Sequence, residues 1–143
     1  MTSQKLADDV LAKMLSADGF SAWLGISVHD FGPGRVTCKM KIRKEMLNGF
    51  GTCHGGIAYS LADSALAFAS NSHGRISVAL DTSMSYPTAV LEGDELTAVA
   101  RELRCTDKVG FYDVEVKNQN AVVVAIFRGT VYRTQKKFFP EAV

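Results

Sequence analysis

The stretch HGGIAYSLADSALAFASN, residues 54–71, decides the fold of this chain. On a helical wheel of 3.6 residues per turn, its apolar side chains fill one wide arc and leave a narrow polar arc. The apolar arc comprises Ile57, Ala58, Leu61, Ala62, Ala65, Leu66, Phe68 and Ala69. This pattern predicts a helix that is buried on most sides, and its many alanines allow it to lie close against a sheet. The helix is expected to end between Asn71 and Gly74.

The chain on both sides of this helix has the periodicity of β-strands. A turn signal, FGPG at residues 31–34, separates an extended stretch at 24–28 from an alternating stretch at 35–43. In that alternation the residues expected to face inward are Val36, Cys38, Met40 and Ile42. After the helix, strands are predicted over residues 78–86, 96–103, 111–118 and 122–132. The run at 122–127 is apolar on both faces, which is typical of a central strand.

The order of these elements predicts an α+β fold in one domain, residues 1–143. A single antiparallel sheet curved around the apolar helix accounts for a hairpin, a helix and four further strands. A short amphipathic helix is expected at about residues 5–18, with Asp18-Gly19 as its stop. Residues 44–53 are predicted to form a loop and residues 134–143 a loose tail.

The charge balance of the chain excludes some classes of partner. Its 16 Lys and Arg nearly cancel its 15 Asp and Glu, so the net charge of +1 predicts neither nucleic-acid binding nor attraction to an anionic membrane. The expected partner is a small molecule. Acidic residues near the start stand where a signal peptide would be apolar, and no apolar run approaches the roughly 20 residues of a membrane span. A cytoplasmic location is therefore expected.

Several kinds of chemistry can be set aside from the sequence. The three histidines, His29, His54 and His73, have no sequence neighbours at metal-ligand spacing, so no metal site and no cofactor are predicted. The chain has no G-x-S-x-G elbow and no P-loop. Adjacent Cys53 and His54 suggest a thiol nucleophile, but neighbours in sequence rarely present both side chains to one atom. With Cys38 and Cys105, Cys53 makes an odd number of cysteines without motif spacing, which indicates reduced thiols.

The start of the central helix is the strongest candidate for a reaction site. The backbone N–H groups of Gly55 and Gly56 are unpaired donors of the first helical turn, where the helix dipole is positive, and they could bind an oxyanion. A tight helix start against the sheet is the alternative. Asp63 is the only ionised side chain between Gly55 and Ser70. It is either a solvated residue on the helix edge or a partly desolvated general base or nucleophile, and the pattern leaves both open.

The motif around these residues resembles a known enzyme family. Residues 48–56, NGFGTCHGG, followed by LAD at 61–63, closely resemble the signature of the hotdog-fold thioesterases of the phenylacetic acid degradation type. The resemblance extends over roughly residues 24–133 and includes GFYDV at 110–114 and AIFRGT at 125–130. Within the hotdog superfamily, an acid on the central helix nine residues after the histidine is specific to this family. The resemblance implies a hotdog fold.

The resemblance also implies an activity. The chain would hydrolyse aryl (phenylacetyl-like) or medium-chain acyl-CoA, with Asp63 as general base or nucleophile and the Gly55 amide as oxyanion donor. His54 would position the loop and the thioester, and Asn48 would orient the water or the carbonyl. From the residues alone, a helix cap remains open for His54 and a turn former for Asn48.

Membership further implies a homo-oligomer, a dimer or a dimer of dimers (homotetramer), with active sites at subunit interfaces. The residues expected to contact substrate are Gly56, Tyr59, Thr82, Tyr86, Gly110 and Arg128. Arg104 and Lys108 are further candidates for coenzyme A phosphates, although most such side chains are merely solvated. Phe68 and Met84 could line the acyl pocket with Tyr59 and Tyr86, or simply belong to the core.

One partner of the catalytic water is left undecided. Relatives often carry Ser or Thr early in the strand after the central helix, and here residues 77–82 are SVALDT. Ser77, Asp81 and Thr82 are equally open. Two other functions remain as alternatives: a non-catalytic acyl-CoA sensor or carrier, and a thioesterase for acyl groups on a carrier protein.

Overall fold

The computed structural model describes residues 3–140. Its helices are α1 (Ser3–Ala17), α2 (Gly19–Leu24) and α3 (Gly55–Asn71), with a single 3-10 turn at Lys44–Met46. Its strands are β1 (Ser27–Gly32), β2 (Arg35–Lys41), β3 (Arg75–Ser85), β4 (Glu95–Cys105), β5 (Val109–Lys117) and β6 (Val123–Lys137). All strand pairs are antiparallel, in the order β1-β2-β4-β5-β6-β3. The predicted architecture, one antiparallel sheet with the apolar helix against it, is confirmed.

Helix α3 lies against five of the six strands, β2 to β6. The predicted apolar arc is buried apart from Ile57, which is partly buried. The close approach requires a glycine on β6, because a Cβ at Gly129 would lie 2.6 Å from Leu66 Cδ2. The inward face predicted for residues 35–43 is also confirmed, because Val36, Cys38 and Met40 of β2 and Ile42 just after it are no more than 1% exposed. Apolar area removed from water on both elements therefore holds the helix to the sheet.

The last strand is longer than predicted. β6 lies between β5 and β3, as an internal strand should, but it continues to Lys137 through the segment expected to be a loose tail. Arg75 of β3 pairs with Lys137, and the Phe138 N–H donates to the Gly74 carbonyl at 2.9 Å. The expectation of a loose tail is thus wrong for residues 134–137, where hydrogen bonds to β3 outweigh weak local propensity. Residues 141–143 lie outside the described residues.

The segment before β1 also differs from expectation. An extended stretch was predicted at 24–28, but α2 occupies the chain up to Leu24 and β1 begins at Ser27. Asp18, predicted to stop α1, also caps α2, because its Oδ1 accepts the Ser21 N–H at 2.9 Å. Gly25 ends α2 in the left-handed conformation, with φ of 77°. A helix of six residues is too short for its periodicity to be detected in the sequence.

Strand β3 forms one free edge of the sheet. It pairs with β6 on one side only, with irregular register between Arg75 and Ser77 and between Ala79 and Asp81. Two of its apolar side chains, Val78 and Leu80, are 50% and 61% exposed. A free strand edge with exposed apolar side chains is a surface on which another strand can pair. Within residues 3–140, no helix is long and apolar enough to cross a membrane.

Candidate active site

The site begins at the amino end of α3, where one backbone donor is left open. His54 caps the helix: its Nδ1 accepts the Gly56 N–H at 2.9 Å, and its carbonyl accepts the Ile57 N–H at 2.9 Å. Among residues 3–140, no acceptor takes the Gly55 N–H. This donor is therefore open to a ligand at the positive end of the helix dipole, where an anionic oxygen would be stabilised.

The cap also fixes the tautomer of His54. Because Nδ1 accepts a hydrogen bond, the proton of the neutral ring is on Nε2. The structure therefore shows the capping role that the sequence left open for His54. It makes the Nε2–H of the exposed His54 ring a second donor at the start of α3.

Asn48 holds the loop that leads into α3. Its Oδ1 accepts the Phe50 N–H at 2.9 Å and the Thr52 N–H at 3.2 Å, and its Nδ2 donates to Thr52 Oγ1 at 3.1 Å. These bonds make Asn48 the turn former of residues 48–52. Its predicted contact with water or carbonyl stays a prediction.

Asp63 lies two turns further along α3 and is half-buried. In the described part of the chain its carboxylate has no hydrogen bond and no ion pair, and desolvation raises its pKa. An unpaired, partly buried carboxylate is costly for a fold and is a common feature of catalytic sites. Of the two alternatives left by the sequence, this geometry favours the partly desolvated base or nucleophile.

The end of β3 runs beside the start of α3 in the opposite direction. The Tyr86 hydroxyl donates to the Gly55 carbonyl at 3.0 Å. One turn later on the helix, the Tyr59 hydroxyl bonds the hydroxyl of Thr82. Two tyrosines predicted to contact substrate thus lie along the polar side of α3. A groove of about 340 Å³ opens there between the helix start and residues 86–90.

Gly55 and Asp63 of one chain are too far apart to act on one atom. They are eight residues apart on α3, which corresponds to a rise of about 12 Å at 1.5 Å per residue. A carbonyl oxygen bound by the Gly55 amide would therefore lie beyond the reach of the Asp63 carboxylate of the same chain. The open donor and the unpaired acid form two separate half-sites.

The family model described as thioesterase superfamily matches residues 50–125, a stretch that contains both half-sites. The chain belongs to the thioesterase superfamily. The acyl-coenzyme A thioesterase PaaI of Escherichia coli is 38% identical over 120 residues, which are 84% of this chain and 86% of that protein.

Solved structures of thioesterase relatives agree with the fold. The Escherichia coli PaaI protein from the phenylacetic acid degradation operon matches with a TM-score of 0.92 and 34% identity, over 95% of this chain and 99% of that one. A Streptococcus mutans protein bound to acetyl-CoA matches with a TM-score of 0.76 and 28% identity, over 78% and 90%. The predicted family, the hotdog fold and the enzyme class, a thioester hydrolase, are confirmed.

Other predicted residues of this thioesterase lie away from the groove. Arg128 is on the face of β6 opposite to buried Phe127, where its Nε donates to Asp113. Gly110 is buried, and a Cβ there would lie 2.9 Å from the Tyr112 ring, which indicates a packing role. Their contacts with substrate stay predictions.

The three candidates for holding the catalytic water differ in their surroundings. The Ser77 hydroxyl donates to the Arg75 carbonyl at 3.2 Å, and Asp81 is exposed. Only Thr82, among these three, has a side-chain bond to α3, through Tyr59. The Thr82 hydroxyl therefore already has one partner within the chain.

One wall of the thioesterase groove was not foreseen from the sequence. Residues 87–95 lie between the predicted strands at 78–86 and 96–103, and their sequence indicated no site. The Val90 carbonyl accepts the Cys53 N–H at 2.7 Å, and residues 88–90 form a wall of the groove. Cys53 also borders the groove, but burial raises the pKa of its thiol to about 11. Because the thiolate is the nucleophilic form, this argues against the thiol mechanism. No periodicity in the sequence marks a loop as a groove wall.

Proposed function

We propose that this protein hydrolyses acyl-CoA thioesters to the free acid and coenzyme A, with an aryl or medium-chain acyl group. The observation that carries the proposal is the pair of half-sites on α3: the open Gly55 N–H and the unpaired Asp63 carboxylate. The superfamily supports thioester chemistry, and PaaI and the acetyl-CoA-bound relative support an acyl-CoA ligand.

The proposed roles follow from the chemistry of the two groups. Asp63 accepts a proton from water, and the resulting hydroxide attacks the thioester carbon. The carbonyl oxygen becomes an oxyanion that the Gly55 N–H stabilises, because the donor is fixed in place before the reaction. Collapse of this intermediate expels the coenzyme A thiolate and leaves the carboxylic acid.

A nucleophilic route uses the same groups. The Asp63 carboxylate attacks the thioester carbon itself, the thiolate leaves, and water then hydrolyses the mixed anhydride. Desolvation supports either route, since it raises the proton affinity of Asp63 and weakens the water shell that would shield its charge.

The proposal requires two chains. Because Gly55 and Asp63 of one chain are about 12 Å apart along the helix, one substrate can meet both only if they come from different subunits. β3 offers the surface for this contact, since its edge is free and Val78 and Leu80 are exposed.

The register of such a dimer follows from the alignment of β3 with α3. Tyr86 marks the Gly55 end of β3, and Thr82 lies beside Tyr59. Two copies of β3 paired antiparallel about Thr82 would bring the Gly55 end of one chain to the Asp63 region of the other. We therefore propose a homodimer with two shared sites, and a dimer of dimers as its further assembly.

The substrate would enter along the groove of about 340 Å³. His54 Nε2–H and the Gly55 amide lie at its mouth, and Tyr86 forms one side with its hydroxyl held by the Gly55 carbonyl. Gly56 lacks a side chain that would block the thioester. Tyr86 lines the groove and offers aromatic surface to an aryl group, and Tyr59 lies one turn further along α3. This is the basis for proposing an aryl or medium-chain acyl substrate.

The testing experiment measures thiol release with a chromogenic disulfide reagent. The substrates are phenylacetyl-CoA, benzoyl-CoA, hexanoyl-CoA and palmitoyl-CoA, with wild type and Asp63→Asn assayed in parallel. Turnover of an aryl or medium-chain substrate that is lost in Asp63→Asn is expected. Binding of all four without turnover would overturn the proposal in favour of a sensor or carrier.

A further inference from the structure

An irregularity in β4 brings two metal-ligating side chains to the same face of the sheet. Residues three apart on a regular strand, such as Glu102 and Cys105, point to opposite faces. Here Glu102 pairs with Tyr112 and Arg104 with Phe111, so Leu103 is an extra residue without a partner on β5. This bulge reverses the alternation, and both Glu102 and Cys105 are partly buried while the two residues between them are exposed.

The turn that follows α3 supplies a third ligand. His73 Nε2 lies 2.7 Å from Glu102 Oε1. The ligand atoms of His73, Glu102 and Cys105 all lie within 4.8 Å of one another. The side chains of His73 and Glu102 are 28% and 25% exposed, so an ion in solution can reach them.

We propose that His73, Glu102 and Cys105 form a binding site for one divalent zinc ion per chain. A thiolate with an imidazole and a carboxylate is a donor set that suits Zn²⁺, whereas Mg²⁺ and Ca²⁺ prefer oxygen ligands alone. Three protein ligands leave the fourth tetrahedral position to water.

The adjustment needed to close the site is small. In tetrahedral zinc sites, bonds of about 2.0–2.3 Å place ligand atoms about 3.4–3.6 Å apart. His73 and Glu102 are closer than this and would separate, while no pair would have to approach by more than about 1 Å, because all ligand atoms lie within 4.8 Å of one another. His73 lies in a turn and Cys105 at a strand end, where such shifts meet little resistance.

The charges of the site match the ion. Burial raises the pKa of Glu102, but hydrogen bonds from Tyr112 and His73 outweigh this effect and lower the pKa. Burial raises the pKa of Cys105 against the opposing charges of Arg133 and Arg75. Binding therefore transfers the thiol proton to buffer, and the thiolate and carboxylate together neutralise Zn²⁺.

The neighbouring groups of the site have other partners. The Tyr112 hydroxyl donates at 2.7 Å to Glu102 Oε1, the oxygen that also faces His73 Nε2, and so orients the carboxylate. Arg75 is held by Asp107 and by the Thr134 carbonyl, and Arg133 donates to the Thr106 carbonyl. The two arginine charges thus face carboxylate and carbonyl oxygens, which limits their repulsion of the ion.

The site is separate from the proposed hydrolytic groups. His73 follows Asp63 by ten residues, about 15 Å if measured along a helix axis. The ion would link the end of α3 to β4 and so stabilise the fold. It would not contact the thioester.

The test uses the full chain, freed of metal by a chelator and titrated with Zn²⁺ in competition with a chromogenic chelator. Wild type is expected to bind one ion per chain and to gain in melting temperature. Cys105→Ser and His73→Gln should each weaken binding by more than about tenfold, since even outer-shell changes at zinc sites cost that much. His29→Gln is the matched control and should bind like wild type.

Substitution of Co²⁺ for Zn²⁺ gives a second readout that does not depend on stability. A thiolate bond to Co²⁺ produces a charge-transfer absorption in the near ultraviolet, which wild type should show and Cys105→Ser should lack. The melting temperature of each variant in chelator establishes that it is folded. Equal affinity in wild type and Cys105→Ser, or a wild-type Co²⁺ complex without the thiolate band, would overturn the site and leave the hydrolysis proposal untouched.

Discussion

The two ends of α3 differ in how their backbone hydrogen-bonding groups are satisfied. At the carboxyl end, Asn71 and Ser72 are only 3% and 1% exposed, and their side chains are fully engaged. Asn71 donates to the Ala67 and Ser77 carbonyls and accepts the Ser77 N–H at 2.8 Å. Ser72 accepts the Gly34 N–H at 2.7 Å and donates to the Ala69 carbonyl at 2.6 Å.

At the amino end of α3, His54 is the one residue among 3–140 whose side chain caps this helix, and Gly55 and Gly56 have no side chains. Polar side chains therefore close the end that joins α3 to β3, and glycines leave the other end accessible. The difference teaches that the two ends of one helix can serve different purposes: buried side chains bond the end that is joined to the sheet, and the other end keeps an open donor that a ligand can satisfy.

The largest effect is expected for Asp63→Asn. The change removes the ionisable group with almost no change in volume, so kcat should fall by roughly 10²–10⁴-fold, the contribution of general acid–base catalysis. Because a desolvated and unpaired charge is removed, the melting temperature should stay equal or rise. Steady-state kinetics and thermal unfolding measure the two effects; wild-type turnover in the folded variant would refute the role of Asp63.

Asn71→Ala should affect stability and leave chemistry intact. It leaves the buried Ser77 N–H and carbonyl without their side-chain partner, so the free energy of unfolding should fall by about 2–3 kcal/mol. The value of kcat at a temperature where the variant is folded should not change. Asn120→Ala is the exposed control and should lie within about 0.5 kcal/mol of wild type by urea unfolding.

Gly55→Ala should lower activity and leave stability nearly unchanged. A Cβ at Gly55 would lie 3.4 Å from the Tyr86 ring, which is ordinary contact, so the fold should tolerate the methyl group. The methyl group stands beside the open N–H and displaces the carbonyl oxygen, so kcat/KM should fall by roughly 10–100-fold. Gly49→Ala, with nothing within 4 Å of its Cβ, is the control. Equal activity of the two variants would argue against an oxyanion at Gly55.

The smallest effect is the pH dependence of Asp63. Because desolvation raises its pKa, activity should decline on acidification at a pH above the value of about 3.9 for an ordinary aspartate. In the folded chain Asp63 holds its proton to higher pH than in the unfolded chain. Wild type should therefore lose stability, relative to Asp63→Asn, as pH rises from the ordinary pKa through the raised one. An unchanged difference across this range would contradict the raised pKa.

Local pattern was sufficient for much of the fold. The apolar arc of α3 and the inward face of β2 depend on periods of 3.6 and 2 residues, which any buried helix or strand must show. The glycines at 55 and 56 and the lone Asp63 were also evident from the sequence, because each departs from the apolar pattern around it.

Local pattern failed where distant contacts outweighed propensity. Residues 134–137 form a strand because β3 supplies hydrogen bonds, and α2 forms because Asp18 and Gly25 cap six residues that have no detectable period. Nothing in the sequence placed His73 near Glu102 and Cys105. A bulge in β4 puts Glu102 and Cys105 on the same face of the sheet, and the turn at the end of α3 positions His73.

The sequence by itself thus determined the apolar helix, the antiparallel sheet and the family motif, because these are written in the order and spacing of neighbouring residues. Only the tertiary structure decided that, within residues 3–140, Gly55 keeps an open donor, Asp63 has no partner and β3 is left at an edge. Those three properties depend on which groups remain without a partner after the chain has folded, and that is set by every element packed around them.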